Sequence, residues 1–176
     1  MLLALDLGLL TGWSLFRDAI RLSSGTWNLR NPFGSLTCNR ARGDVFLDKV
    51  LRTVAAQRVT VLAHEHVPSL HQHAGVDAAH LFGGWLELIE MVRCRTGIRV
   101  VRVTSPEVHA VSGVVMPPRI TRGLPDVERR RAKADRREEL KRRVVAAAQA
   151  RGWQVLNDNE ADACFVGVAA LAKGGA

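Results

Sequence analysis

The chain is poor in cysteine, in long apolar runs and in repeats, and each shortage removes a class of protein. Its three cysteines, Cys38, Cys94 and Cys164, stand far apart. An odd, scattered set makes neither a disulfide framework nor a thiolate metal site, so a reducing compartment is expected. Each cysteine reads as a small buried hydrophobe. No apolar stretch reaches the roughly 18 residues that a membrane span needs. The apolar N-terminus meets Asp6 at once and has no basic leading region, which argues against a secretory signal. A cytoplasmic protein with no membrane partner is therefore expected. No internal period is visible, which removes solenoids and propellers.

What the chain has in excess is positive charge. Its 25 Lys and Arg outnumber 17 Asp and Glu, for a net charge of +8 and a pI near 10.6. Such a balance points to a polyanionic partner. The excess is local: Arg119 to Arg143 holds 11 basic against 5 acidic residues, a net of +6, leaving +2 for the rest. Concentration on one segment favours a binding surface over general solubility. With 176 residues, 47% of them hydrophobic, the chain can bury the core of one domain.

Periodicity orders the elements. Residues 1–7, Gly12 to Phe16 and Leu22 to Leu29 read as a meander of three strands, with a turn at Asn31 to Gly34. Arg40 to Gln57 reads as an amphipathic helix, and the β-branched run Val59 to Glu65 as a strand. A polar loop with His66, His71 and His73 leads to a long helix, about Val76 to Arg95. That helix carries two apolar stripes at three-four spacing: Ala78, Leu81, Trp85, Leu88 and Val92, then Ala79, Phe82, Leu86 and Ile89. One stripe can pack on a sheet; the second faces either another subunit or more of the same domain. Ile98 to Val103 is a fifth strand, and Thr104-Ser105-Pro106 opens a helical turn. A second long helix runs from about Val127 to Arg151. Its first half has no apolar side chain larger than Val127 until Leu140, so it projects into solvent or lies on a polyanion. Residues 113–139 thus form a mobile basic arm on a single domain. A last helix spans about Asn159 to Ala172. The order is that of an α/β fold with a mixed five-stranded sheet flanked by helices.

Four acids carry the chemistry: Asp6, Glu65, Asp158 and Asp162. Asp6 and Glu65 end two apolar strands. Asp158 and Asp162 are four apart, one helical turn, and share a face if the helix includes both. Three or four carboxylates suffice to hold divalent cations, and two such ions about 4 Å apart can clamp both oxygens of a phosphodiester displacement. Each acid alone has a blander reading: a turn residue after a strand, or a helix cap in the case of Asp158 or Asn159. The joint pattern with a basic segment is what points to nucleic-acid hydrolysis.

These residues also resemble a family. Leu5-Asp6-Leu7-Gly8 with Thr11-Gly12-Trp13 is similar to the opening strand motif of the RuvC-type Holliday junction resolvases, in their phage- and prophage-encoded branch. His64-Glu65-His66-Val67-Pro68 resembles their second acidic motif, and Asp77 to Gly84 the start of their long helix. Lys133, Ala146 to Ala148, Ala150-Arg151-Gly152-Trp153 and Asp158 to Ala163 resemble the C-terminal signature. The resemblance covers nearly the whole chain. It implies an RNase H-like fold and a homodimer built on the helix near Val76 to Arg95. It also implies two Mg²⁺ or Mn²⁺ ions per site and cleavage of four-way junctions or other branched DNA. Asp6, Glu65 and Asp162 match the family's catalytic metal ligands. The fourth ligand stands three residues before the last Asp in relatives, which here is Asn159; Asp158 can supply the carboxylate instead. Relatives also carry lysines after the fifth strand, where this chain has Val108 to Gly113 without Lys or Arg. Phosphate contact is therefore expected to move to Arg119, Arg122, Arg129, Arg130, Arg131, Lys133, Arg136 and Arg137.

Two other readings compete. One is a branched-DNA-binding protein without catalysis, its site decayed at Asn159. The other is a fragment of a sugar-kinase or actin-like ATPase, since Asp6 to Gly12 also resembles a phosphate-binding hairpin. That fold needs a second domain, for which this chain has no room.

Overall fold

The computed structural model describes residues 1–30, 39–66, 76–118, 123 and 125–174. The expected turn after Asn31, the histidine loop beyond His66, Arg119, Arg122 and Cys38 lie outside them. Among the described residues, five strands and five helices follow one another. Strands β1 (Leu2–Asp6), β2 (Leu10–Arg17) and β3 (Ile20–Asn28) lead into α1 (Asn39–Gln57), β4 (Val61–His66), α2 (Val76–Thr96) and β5 (Arg99–Thr104). Helices α3 (Ser105–Ser112), α4 (Asp126–Ala150) and α5 (Asp158–Ala172) close the series. The sheet order is β3-β2-β1-β4-β5. The β1–β2 and β2–β3 pairs are antiparallel; β1–β4 and β4–β5 are parallel. This is the mixed five-stranded α/β layout expected from the meander and the alternation that follows it.

Period-two alternation divides the core into two layers. Leu2 and Ala4 of β1, with Val61 and Ala63 of β4, pack beneath α4 and α5. Leu3, Leu5 and Leu62 point the other way, to Phe46 of α1 and Trp85 and Ile89 of α2. Asp6 continues the Leu2–Ala4 series and Glu65 the Val61–Ala63 series, so the same alternation aims both acids at the α5 side. Trp13 and Trp27 stack on each other, centroids 6.1 Å apart, against the α1–α2 layer. Cys164 is buried as expected; Cys94 is exposed, because it lies on the solvent side of α2.

Helix α5 is the central element. Small residues make it so: Ala161, Ala163, Gly167, Ala169 and Ala170 are buried on it, and the backbone can approach the sheet closely. A Cβ at Gly167 would lie 2.2 Å from the ring of Phe16. Ser14 of β2 donates to the Ala163 carbonyl at 2.8 Å. At the far end, Lys173 pairs with Glu107 of α3 at 2.8 Å. Helix α4 behaves as its composition predicts. Residues 126–131 are exposed, while Val144 and Ala148 are buried against the core.

Candidate active site

Strand ends and one helix start supply the acids. Parallel pairing of β1 with β4 matches Leu5 to His64, which sets Asp6 and Glu65 at adjoining strand ends. Antiparallel pairing sets Gly12 opposite Asp6. At Gly12 the first turn of α5 comes down onto the sheet: a Cβ there would lie 1.8 Å from the Asn159 carbonyl oxygen. Only glycine lets that turn, with Asp158 and Asp162, reach over β1.

The cap of α5 is Asn157, whose side chain accepts from the Glu160 N–H at 3.0 Å. Neither Asp158 nor Asn159 is consumed as the cap. Asp158 is the first residue of the helix.

The four acids line one cavity of about 670 Å³, with Arg30, Ser105, His109, Arg137, Lys141 and Asn159 also on its wall. Asp6 is pushed well above the usual carboxylate range by burial, then by the charges of Asp162, Glu65 and Asp158. Asp162 is pushed up to about 7 by burial, Glu65 and Asp158, with Lys141 pulling the other way. These acids therefore feel one another's charge across the cavity. Among the described residues, no three His, Cys, Asp or Glu side chains close on one point as an ion would require. The donor chemistry nevertheless fits a divalent cation: hard carboxylate oxygens on one wall, with mutual repulsion that an ion between them would relieve.

Several partners of these acids were not foreseen. Ser105, first residue of α3, donates a hydrogen bond to Glu65 Oε1. Lys141 of α4 pairs with Asp158 at 3.3 Å. Arg30, just past β3, and His109 of α3 complete the rim. Lys141 lay within the basic run but could be assigned to the pocket only once helix packing was known. Ser105, Arg30 and His109 carried no local signal.

The basic residues expected to meet DNA divide into groups. Arg137 lines the cavity. Arg130, Arg131, Lys133 and Arg137 are exposed and make no ion pair among the described residues. Arg129 pairs with Asp126. Arg136 donates to the Pro117 carbonyl at 2.7 Å and so ties Pro117 to α4. His64 is buried, and burial lowers its pKa; its Nδ1 lies 2.9 Å from the Glu65 carbonyl oxygen. It serves the strand and stays neutral.

No family model and no curated protein matches the chain. Solved structures do. T. thermophilus RuvC in complex with Holliday junction substrate superposes with a TM-score of 0.65 at 14% identity, over 99% of this chain and 96% of that one. A second structure of Thermus thermophilus RuvC gives 0.62 at 13% identity, over 99% and 96%. The chain has the RNase H-like α/β fold that these structures share.

Proposed function

We propose that this protein is a metal-dependent endonuclease that cleaves Holliday junctions or other branched DNA, leaving 5′-phosphate and 3′-hydroxyl ends. The observation that carries this reading is one cavity whose wall holds Asp6, Glu65, Asp158 and Asp162 beneath a rim of Arg30, Arg137 and Lys141. An acidic floor under a cationic rim suits a phosphodiester that must approach metal-binding carboxylates. The motif resemblance supports reading the chain as a RuvC-type resolvase of the phage- and prophage-encoded branch, and a cytoplasmic location goes with that reading. Among the described residues no helix is long and apolar enough to cross a membrane.

Asp6, Glu65, Asp158 and Asp162 would hold two Mg²⁺ or Mn²⁺ ions. Bound there, such ions would supply Lewis-acid polarisation of the phosphodiester and a lowered pKa for water. The chain's own groups do the positioning. Ser105 fixes the rotamer of Glu65 through its hydrogen bond. Lys141 holds Asp158 and, with Arg137 and Arg30, attracts the phosphates flanking the reacting one. Exposed Arg130, Arg131 and Lys133, with Arg129 and Arg136, extend that field along α4, and Arg119 and Arg122 belong to the same basic run of the sequence. A new bond forms between water oxygen and phosphorus as the bond to the 3′ oxygen breaks. Helix α2 supplies a dimer face through Phe82 and Leu86, which stay half-exposed beside the buried Trp85 and Ile89.

Asp6→Asn and Glu65→Gln are expected to lower junction cleavage about a thousandfold or more with Mg²⁺ while binding survives. Normal cleavage by both variants would end the assignment. Two observations favour a branched-DNA-binding protein without catalysis: Asn159 stands where the family's fourth ligand would stand, and among the described residues no three His, Cys, Asp or Glu side chains close on one point. Wild-type protein that binds junctions yet cuts none of them at any Mg²⁺ or Mn²⁺ concentration would establish that reading.

A further inference from the structure

The two pocket acids of α5 flank a third carboxylate that faces away. Glu160 follows Asp158 by two residues, about 200° around the helix. It is 4% exposed. Burying a carboxylate is costly unless its oxygens are engaged, and both are. Oε1 accepts from Ser24 Oγ of the edge strand β3, and Oε2 accepts from the Leu156 N–H at 2.9 Å. Ser24 Oγ in turn accepts from the Arg21 guanidinium. A positive charge therefore reaches the buried carboxylate through one hydroxyl. Beside this chain of bonds, Asn157 caps the Glu160 N–H and its side chain meets Thr26 Oγ1 at 3.1 Å. Residues 156–160 are thus closed on themselves and pinned to β3 at two points. Asn157 touches the cavity wall, whereas Arg21, Ser24, Thr26, Leu156 and Glu160 do not line it.

We infer that Glu160, held by Ser24 and Arg21, is a positioning residue that sets where Asp158 and Asp162 stand relative to Asp6 and Glu65, and so sets metal affinity. This rests on the metal-binding reading of the cavity. A plain packing role would be served as well by an apolar side chain. A carboxylate accepting at both oxygens instead fixes the rotation of the first helical turn, and the acids ride on that turn.

The test is Mg²⁺ titration of the full chain by calorimetry, at a temperature where circular dichroism shows each variant folded. Glu160→Ala should weaken Mg²⁺ binding about tenfold or more, as loss of a ligand-orienting group does. Glu160→Gln should stay within about threefold of wild type, because its amide can accept from the Leu156 N–H and donate to Ser24 Oγ. Ser24→Ala removes one hydroxyl, leaves the helix cap in place and should weaken binding by an intermediate factor. It decides the matter if Glu160→Ala does not fold. Mg²⁺ affinity unchanged in Ser24→Ala and in folded Glu160→Ala, whatever their thermal midpoints, would overturn the inference alone. Wild-type protein that takes up no Mg²⁺ would overturn the metal reading itself, and the inference with it.

Discussion

Asp162 shows how far single residues in this molecule depart from their solution chemistry. Its carboxyl, ordinarily near 3.8, is pushed up to about 7 by burial and by Glu65 and Asp158. An acid whose folded-state pKa is raised contributes stability below its unfolded value and loses it as pH rises through the folded value. Metal-free protein should therefore lose stability between about pH 4 and 7, by roughly 2–4 kcal/mol from this group. Asp6 adds to the same trend. Asp162→Asn should flatten the profile of thermal midpoint against pH in chelator and raise the midpoint at pH 8. Mg²⁺ should raise the wild-type midpoint at pH 8 and leave that of the variant nearly unmoved. A wild-type profile that rises from pH 4 to 7 in chelator would contradict the sign.

At the scale of elements, the site depends on how closely α5 lies on β2. Gly12 is the contact point, with the Asn159 carbonyl where a methyl group would be. Gly12→Ala must lift the first turn of α5 or bend β2. Overpacking of this kind costs about 1–3 kcal/mol. Because the displaced turn carries Asp158 and Asp162, cleavage should fall much further than stability does. Thermal midpoint and cleavage rate measured on the same preparation separate the two; an active Gly12→Ala enzyme would show that the close approach is not needed. The sequence made this region readable as a strand followed by a helix, and its periodicity placed Asp6 and Glu65 at strand ends. It offered Asp158 or Asn159 as the cap and missed Asn157, an equally good cap residue one position earlier. Contact with Thr26 of β3 selects Asn157 and leaves Asp158 for the cavity.

At the scale of the whole molecule, charge and assembly become measurable. The exposed face of α4 carries Arg130, Arg131, Lys133 and Arg137 without ion pairs among the described residues. If these four meet phosphates, their joint replacement by Ala should lower the slope of log affinity against log salt by up to about 3.6, at about 0.9 per contact on duplex. An unchanged slope would mean that the arm is only a solvated face. Helix α2 makes a separate claim. Phe82→Glu or Leu86→Glu should turn a dimer into a monomer in sedimentation, while the Trp85 side stays packed on Phe46, 4.8 Å between ring centroids. A wild type that sediments as a monomer at all concentrations would remove the dimer.

The amino-acid sequence by itself determined the order of strands and helices and the acids at the ends of β1 and β4. Those follow from local periodicity, which repeats every two or 3.6 residues and needs no knowledge of distant neighbours. It also located the basic run, because composition is a property of a segment. What only the tertiary structure decided is which groups meet. Ser105 on Glu65, Lys141 on Asp158 and Ser24 on Glu160 join residues 40, 17 and 136 positions apart. Such pairs are set by the rotation and closeness of packed elements, above all by α5 lying against Gly12. No local pattern encodes that rotation, because each side chain's partner belongs to another element.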